Sequence, residues 1–153
     1  MPAMPTAREL LEPDVLCAYE GWSLQRLEHF LMRHELARVP VIASDHQLVG
    51  SVGSADLHRL MNLEETYRAR MINDNFRRST GQDMDNMDEL TQWTRRALVY
   101  CTVHQVMLPD PPHVEADDTL QSVRELLVAQ GLDRVWVTDQ GVLAGAIRAV
   151  QLL

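Results

Sequence analysis

The sequence contains no lysine, few aromatic residues, two cysteines and no long apolar run. All fourteen basic residues are arginines, which excludes chemistry that requires a lysine, such as Schiff-base formation or the phosphate contact of a P-loop. Against twenty-two acidic residues they leave a net charge of −8. A general nucleic-acid-binding protein is therefore excluded, because such a protein needs a basic face to neutralise phosphates.

The absence of a long apolar run excludes a membrane-spanning helix, which needs about eighteen apolar residues. The first residues lack the charged and apolar regions of a signal peptide, so we expect a cytoplasmic protein. Cys17 and Cys101 lie in apolar segments, and without a secretory signal we expect both to be reduced and buried. Apolar residues make up 46% of the 153 positions, which is enough for a hydrophobic core.

Two copies of one unit of about fifty residues make up most of the chain. An offset of 96 positions places identical residues opposite each other, and the series continues after a one-residue deletion in a turn. The matched pairs are Thr6/Thr102, Pro13/Pro109, Asp14/Asp110, Leu24/Leu120, Leu31/Leu127, Leu36/Leu132, Arg38/Arg134, Val39/Val135, Val41/Val137, Leu48/Leu143 and Gly50/Gly145. We expect a first unit at residues 1–57, an insert at 58–101 and a second unit at 102–153.

Each copy carries the pattern of a β-α-β-β-α unit. A short helical lead ends before a proline and a brief strand follows it. Ser23 and Thr119 are then good N-caps for amphipathic helices, of which the second ends at Gly131. Two strands joined by a turn predict a hairpin, and a last helix begins near Ser54 or Ala149. The predicted leads and strands are 7–11, 15–19, 39–42 and 48–52 in the first copy and 103–107, 113–115, 135–137 and 142–147 in the second.

The insert is predicted to be helical, and its seven arginines balance its seven carboxylates. Its apolar stripes are most simply faces that pack within the chain or against a second subunit. One stripe comprises Leu57, Leu60, Met61, Glu64, Tyr67, Met71 and Phe76, and Thr80-Gly81 ends that helix. A second helix, capped by Asp85 or Asn86, would contain Met87, Leu90, Thr94, Ala97 and Cys101. The predicted fold class is α/β (α+β), two pseudo-symmetric units with a helical insert between them.

The duplicated pattern resembles a tandem pair of CBS (cystathionine-β-synthase-like) domains, also called a Bateman module. The resemblance covers residues 6–57 and 102–152. It is closer in the second copy, in Thr102-Val103-His104-Gln105-Val106-Met107 and Gly131-Leu132-Asp133-Arg134-Val135-Trp136-Val137. It implies two units packed through their sheets, a homodimer, and a regulatory role. In that role, clefts between the units bind an adenosine-containing ligand such as AMP, ADP, ATP or S-adenosylmethionine.

The ligand signature of that family, Gly-h-h-(Thr/Ser)-x-x-Asp with h apolar, is kept only in part. In the first copy Asp56 is in register, where it would accept hydrogen bonds from the ribose hydroxyls. Gly53 occupies the position of the hydroxyl residue, and Ser54 follows it. In the second copy the aspartate is lost and Arg148, a candidate phosphate contact, replaces the hydroxyl residue. The alternatives are that Asp56 complements the helix dipole, Ser54 is an ordinary N-cap and Arg148 is a solvated surface group.

The resemblance also implies a slot for the adenine between the first strand and the hairpin of each copy. The candidate lining residues are Cys17, Ala18, Val39, Pro40 and Val52 in the first copy and His113, Val135 and Trp136 in the second. All of them are strand residues that the core of such a fold would bury in any case. Trp136 replaces the proline of the first copy, and the alternative is that it fills its cleft outright.

A phosphate ligand would meet an unfavourable field, because the neutral insert leaves the whole net charge on the two units. Helix N-termini and Arg38, Arg134 or Arg148 are the candidates to hold it. The charge therefore favours a ligand with little net charge, such as AMP or S-adenosylmethionine, over ATP.

Neither a metal site nor an enzyme is expected. The six histidines lack metal-ligand spacing, and no set of catalytic residues is recognisable. No cofactor is required. Two hypotheses remain: a regulatory module that senses an adenosine-type ligand, and a protein–protein interaction or dimerisation module that has lost its ligand. The protein partner that such a module regulates is not identified by the sequence.

Overall fold

Two sheets and the helices around them organise the chain in the computed structural model, which describes residues 4–61, 65–81 and 97–152. The strands are β1 (Ala18–Tyr19), β2 (Arg38–Ile42), β3 (Leu48–Gly53), β4 (Leu108–Pro109), β5 (His113–Glu115), β6 (Arg134–Asp139) and β7 (Val142–Arg148). The helices are α1 (Ala7–Leu10), α2 (Leu24–Arg33), α3 (Ser54–Met61), α4 (Glu65–Thr80), α5 (Ala97–Tyr100), α6 (Val103–Val106) and α7 (Leu120–Gln130), and a 3₁₀ helix (Ala149–Leu152) follows β7.

The two sheets share one arrangement. In the first, β1 lies parallel to β2, which pairs antiparallel with β3; in the second, β5, β6 and β7 repeat this order. The first sheet has β4 as a fourth strand, paired antiparallel with β3. The strands of both hairpins are buried at consecutive positions, as in β2 and β6, and they contribute to the two cores. The predicted α/β class with two pseudo-symmetric units is confirmed.

The predicted ends of the long helices agree with the structure. The Ser23 hydroxyl accepts a hydrogen bond from the Arg26 N–H, and the Thr119 hydroxyl accepts one from the Ser122 N–H, as N-caps do. Gly131 ends α7 in the left-handed conformation, at φ 61°. The strand predicted at residues 15–19 is shorter, because Val15 donates its N–H to the Pro13 carbonyl in a turn and pairing starts at Ala18.

Each lead packs on the other repeat. Ala7 of α1 is fully buried in the second core, and the Arg8 N–H donates to the Ala116 carbonyl over 2.8 Å. Val103 of α6 is fully buried in the first core, and the His104 N–H donates to the Glu20 carbonyl over 2.9 Å. The chain therefore exchanges its two leads between the repeats, and β4 is a consequence of that exchange.

The described part of the insert packs on the first core. Ile72 of α4 is 1% exposed, and the Asn75 amide donates to the Tyr100 carbonyl of α5. Helix α4 ends at Thr80, as predicted, and the Gly81 N–H donates to the Arg77 carbonyl. The proposed caps and most of the second predicted helix lie outside the described residues, which resume at α5.

Neither cysteine forms a disulfide. Cys101 is buried in the first core, as predicted. Cys17 is only partly buried, so that part of the prediction is wrong: it precedes the first paired residue, Ala18, whose side chain takes the core position. Burial nevertheless raises the pKa of the Cys17 thiol. No helix within the described ranges is long and apolar enough to cross a membrane.

Candidate functional site: two clefts between the repeats

Two clefts lie at pseudo-equivalent places between the repeats. The larger cleft, of about 490 Å³, is lined by Arg38, Ser51, Leu108, Pro109, Asp110, Pro111, Pro112, Leu132, Asp133, Arg134 and Trp136. The smaller cleft, of about 160 Å³, is lined by Glu12, Asp14, Val15, Leu16, Leu36, Arg38, Val39, Pro40, Arg134, Trp136, Ala146 and Arg148. Small-molecule sites typically measure roughly 300–1,000 Å³, so the larger cleft has the volume of a ligand site.

An ion pair accounts for part of the difference in size. Arg148 donates to the Glu12 carboxylate over 2.8 Å across the smaller cleft. The equivalent of Arg148 in the first repeat is Gly53, which has no side chain, and the equivalent of Glu12 is Leu108. A Cβ atom at Gly53 would overlap the carbonyl oxygen of Ala37, so the backbone itself requires glycine there.

Asp56 is 1% exposed and lines neither cleft, but it contacts Arg38, which lines both. Its Oδ2 accepts hydrogen bonds from the Gly53 N–H at 2.9 Å and from Arg38 at 3.0 Å. Its Oδ1 accepts from Arg59, one turn further along α3. The buried carboxylate is thus fixed by one backbone donor and two guanidinium groups, and it positions Arg38 at the boundary of both clefts.

Ser51 joins this network from β3. Its hydroxyl oxygen accepts a hydrogen bond from the second guanidinium nitrogen of Arg38, over 2.9 Å. Ser51 is 7% exposed and lines the larger cleft. Sequence reasoning missed this residue, because Ser51 occupies an apolar position of the family signature. The signal that would have found it is a hydroxyl where the second repeat has Ala146.

Gln151 takes the place of Asp56 in the second repeat. Its side-chain oxygen accepts a hydrogen bond from the Arg148 N–H at 2.8 Å, which matches the bond from Gly53 to Asp56. Its amide nitrogen donates to the Leu10 carbonyl of the exchanged lead, 3.2 Å away. The second repeat has lost the aspartate, as predicted, but Gln151 keeps its capping role and lacks only the negative charge.

Arg134 is the cation that faces both clefts without a carboxylate partner among the described residues. Its guanidinium carbon lies 4.4 Å from the centre of the Trp136 ring, a cation–π contact. The other two cleft arginines are paired, Arg38 with Asp56 and Arg148 with Glu12. Arg134 is therefore the group in these clefts best placed to meet an anionic ligand.

The residues predicted for ligand binding are distributed over several places. Val39, Pro40 and Arg148 line the smaller cleft, and Trp136 lines both clefts. Ala18, Val52 and Val135 are buried in the two cores.

The remaining predicted residues lie outside both linings. Ser54, the first residue of α3, lines a separate groove together with Met32 and Leu57. Cys17 precedes β1, and the His113 ring nitrogen Nδ1 lies 3.0 Å from the Pro111 carbonyl, beside the larger cleft. The ligand roles of all these residues stay predictions. Among the described residues, no group of three or more histidine, cysteine or carboxylate side chains is arranged to hold a metal ion.

The duplicated unit and the two clefts between its copies define a tandem α/β module. The CBS domain family model matches residues 7–63 and 103–153, and the chain belongs to this family. The resemblance inferred from the repeats is thereby confirmed. No curated protein matches the chain.

Several solved structures share the fold. CBSX2 from Arabidopsis thaliana is 20% identical, with a TM-score of 0.63 over 98% of this chain and 92% of that chain, and CBSX2 is also known in complex with AMP. The CBS domain of a membrane protein from Sphaerobacter thermophilus is 19% identical, with a TM-score of 0.63 over 97% of this chain and 86% of that chain. The CBS pair of MJ0100, in complex with 5′-methylthioadenosine and S-adenosylmethionine, is 12% identical, with a TM-score of 0.57 over 98% and 94% of the two chains.

Proposed function

We propose that this protein is a regulatory, non-catalytic module that binds one adenosine-containing ligand in the larger cleft. The observation that carries the proposal is Arg134, a cation without a carboxylate partner among the described residues, on a cleft of about 490 Å³. The complexes of CBSX2 with AMP and of MJ0100 with S-adenosylmethionine support this class of ligand. The smaller cleft, crossed by the ion pair of Arg148 with Glu12, has no room for a nucleotide.

Each part of the ligand has a matching group in this proposal. Arg134 receives the phosphate or other anionic group. Leu108 and Pro109 of β4, with Pro111 and Pro112 after it, supply an apolar surface for the base. Asp56 binds the ribose hydroxyls once Arg59, whose side chain is 58% exposed, turns into solvent and releases Oδ1. Arg38 keeps its bond to Oδ2.

The charges around the larger cleft favour a ligand of low net charge. Arg38 and Arg134 are balanced there by Asp110 and Asp133, so the lining itself is neutral. The remainder of the protein is strongly acidic. AMP and S-adenosylmethionine therefore fit this site better than ATP does, because each added phosphate meets the surrounding negative field.

A thermal-shift assay with AMP, ADP, ATP and S-adenosylmethionine tests the proposal. A ligand present at about a hundred times its Kd stabilises a protein by roughly 2.7 kcal/mol, which is readily measured as a rise in Tm. We expect a rise with AMP or S-adenosylmethionine. No change with any of the four at millimolar concentration would contradict the proposal.

Two arginine variants then locate the site. Arg134→Gln should remove most of the difference in Kd between AMP and adenosine, measured by calorimetry, because it removes the cation that meets the phosphate. Arg148→Gln is the matched control in the smaller cleft and should leave both Kd values unchanged. An equal loss in the two variants would place the ligand elsewhere.

The second candidate function is a ligand-free interaction and dimerisation module. The observation that favours it is that the Asp56 carboxylate already accepts three hydrogen bonds without a ligand. Met32 of α2 and Val128 of α7, at equivalent positions, are 70% and 77% exposed, which suits contacts with a second copy. Sedimentation of the wild type and of Met32→Glu tests the homodimer, which the variant should weaken.

The partner and compartment belong to the same proposal. A module of this kind acts on a protein partner, which co-purification would identify. The two cysteines without a disulfide are in keeping with the reducing cytoplasm.

A further inference from the structure

We propose that Ser51 determines specificity in the larger cleft by donating its hydroxyl hydrogen to a ring nitrogen of the bound purine. This inference rests on the proposed function, since it assigns a role within the same cleft. It differs from the signature of the family, in which the residue at this position is apolar.

The hydroxyl hydrogen of Ser51 is available to donate a hydrogen bond. A serine hydroxyl can donate one hydrogen bond and accept two. The Ser51 oxygen already accepts from Arg38 at 2.9 Å, whereas its hydrogen has no acceptor among the described residues. Ser51 is 93% removed from solvent, since its exposed fraction is 7%. A donor buried to this extent is normally satisfied, because an unsatisfied one costs free energy.

The contact with Arg38 restricts the direction of that hydrogen. A guanidinium group only donates, so the Ser51 hydrogen cannot be directed at it. Arg38 is itself held by Asp56 through its other terminal nitrogen, at 3.0 Å, which fixes the guanidinium fork against the hydroxyl oxygen. The hydrogen of Ser51 is therefore directed away from Arg38, and the open space beside Ser51 is the larger cleft.

The surroundings of Ser51 select a neutral acceptor. On β3, Ser51 is the register partner of Leu108, and Pro109 follows on the same neighbouring strand. A phosphate would be drawn instead to Arg134, because the charge of Arg38, the cation beside Ser51, is already paired with Asp56. A neutral hydroxyl beside apolar side chains matches a purine ring nitrogen, which is an uncharged acceptor in a flat apolar ring.

The second repeat supplies a natural control. The equivalent of Ser51 is Ala146, which lines the smaller cleft and has no hydroxyl. The two clefts therefore differ in a single hydrogen-bond donor at this position. Ala146→Ser introduces the same group where no ligand is expected.

The test compares AMP with three analogues in which N1, N3 or N7 of the ring is replaced by CH. Calorimetry gives the Kd of each for the wild type, Ser51→Ala, Ser51→Thr and Ala146→Ser. In the wild type we expect one analogue to bind about 5-fold more weakly than AMP, the effect of one neutral hydrogen bond. Ser51→Ala should bind AMP and that analogue equally, whereas Ser51→Thr and Ala146→Ser should discriminate as the wild type does.

The comparison of analogues separates a hydrogen bond to the ligand from an indirect effect through Arg38. An indirect effect would weaken AMP and all analogues together in Ser51→Ala and leave their ratios unchanged, which would overturn the inference. Equal binding of all four compounds by the wild type would overturn it as well. Failure of the wild type to bind AMP would instead remove the proposed function.

Discussion

The two repeats place different side chains on one shared backbone feature. Asp56 and Gln151 each accept the N–H of the residue three positions earlier, at 2.9 and 2.8 Å. The aspartate also attracts Arg38 and Arg59, whereas the glutamine reaches the carbonyl of the exchanged lead. The same backbone position therefore holds an acceptor in both repeats, and in the first repeat the charged acceptor also holds two arginines.

The repeats differ also in what packs on their cores. Helix α4 places Ile72 in the first core, and α5 lies beside it. In the described parts of the chain, the second core receives α1 but no residue of the insert. The first repeat is therefore the larger and better covered of the two.

Ile72→Ala tests how well α4 covers the first core, and it should cause the largest loss in the free energy of unfolding. Truncating a buried isoleucine costs about 2–5 kcal/mol, and we expect about 3 kcal/mol from the loss of contacts in the first core. Urea unfolding followed by circular dichroism measures it. Val128→Ala, on an exposed face of the second repeat, is the control and should change the free energy of unfolding by less than about 0.5 kcal/mol. Similar losses in the two variants would contradict the described packing.

Asp56→Ala removes the negative charge that distinguishes Asp56 from Gln151, its equivalent in the second repeat. It leaves the Gly53 N–H without its side-chain acceptor and Arg38 without its carboxylate. We expect a loss of about 2 kcal/mol in the free energy of unfolding, because both arginines are partly exposed and can be solvated. Asp56→Asn keeps an acceptor for Gly53, as Gln151 does for Arg148, and should lose about half as much. An equal loss in the two variants would show that the charge matters more than the cap.

Gly53→Ser restores the hydroxyl residue of the family signature to the first repeat. Its Cβ would overlap the Ala37 carbonyl oxygen, so we expect a loss of about 1–2 kcal/mol through displacement of the backbone. Thermal unfolding measures this loss. Ser54→Ala, one residue further on, is the neighbouring control. A Gly53→Ser variant as stable as the wild type would mean that the backbone relaxes freely there.

Arg148→Gln should have the smallest effect on stability. It breaks the ion pair with Glu12, in which both side chains are about half exposed. Exposed pairs contribute little, so we expect a change below about 0.5 kcal/mol in urea unfolding. A larger loss would mean that this pair contributes more to stability than an exposed ion pair normally does.

The local features of this fold could be predicted from the sequence. Ser23, Thr119 and Gly131 act through neighbouring residues alone, so their capping roles follow from residue type and position. The hairpins follow in the same way from short apolar runs joined by turn residues. The CBS family could also be predicted from the sequence, because the unit is duplicated.

The features that depend on distant contacts could not be predicted. Ala7 and Val103 occupy equivalent places in two similar leads, and the sequence pattern is the same whether each lead packs on its own repeat or on the other. Ser51 lies beside a cleft because β4, which follows the second lead, pairs with β3, and Arg59 reaches Asp56 through the geometry of α3. Such placements are set by tertiary packing, which no local pattern encodes.

The exchange of the leads has a consequence for how the protein unfolds. Unfolding the second repeat removes Val103 from the first core, and unfolding the first removes Ala7 from the second. Neither repeat can therefore unfold independently while the other stays folded. Amide hydrogen exchange should therefore report one cooperative unit across both sheets, with nearly equal opening free energies in β2 and β6.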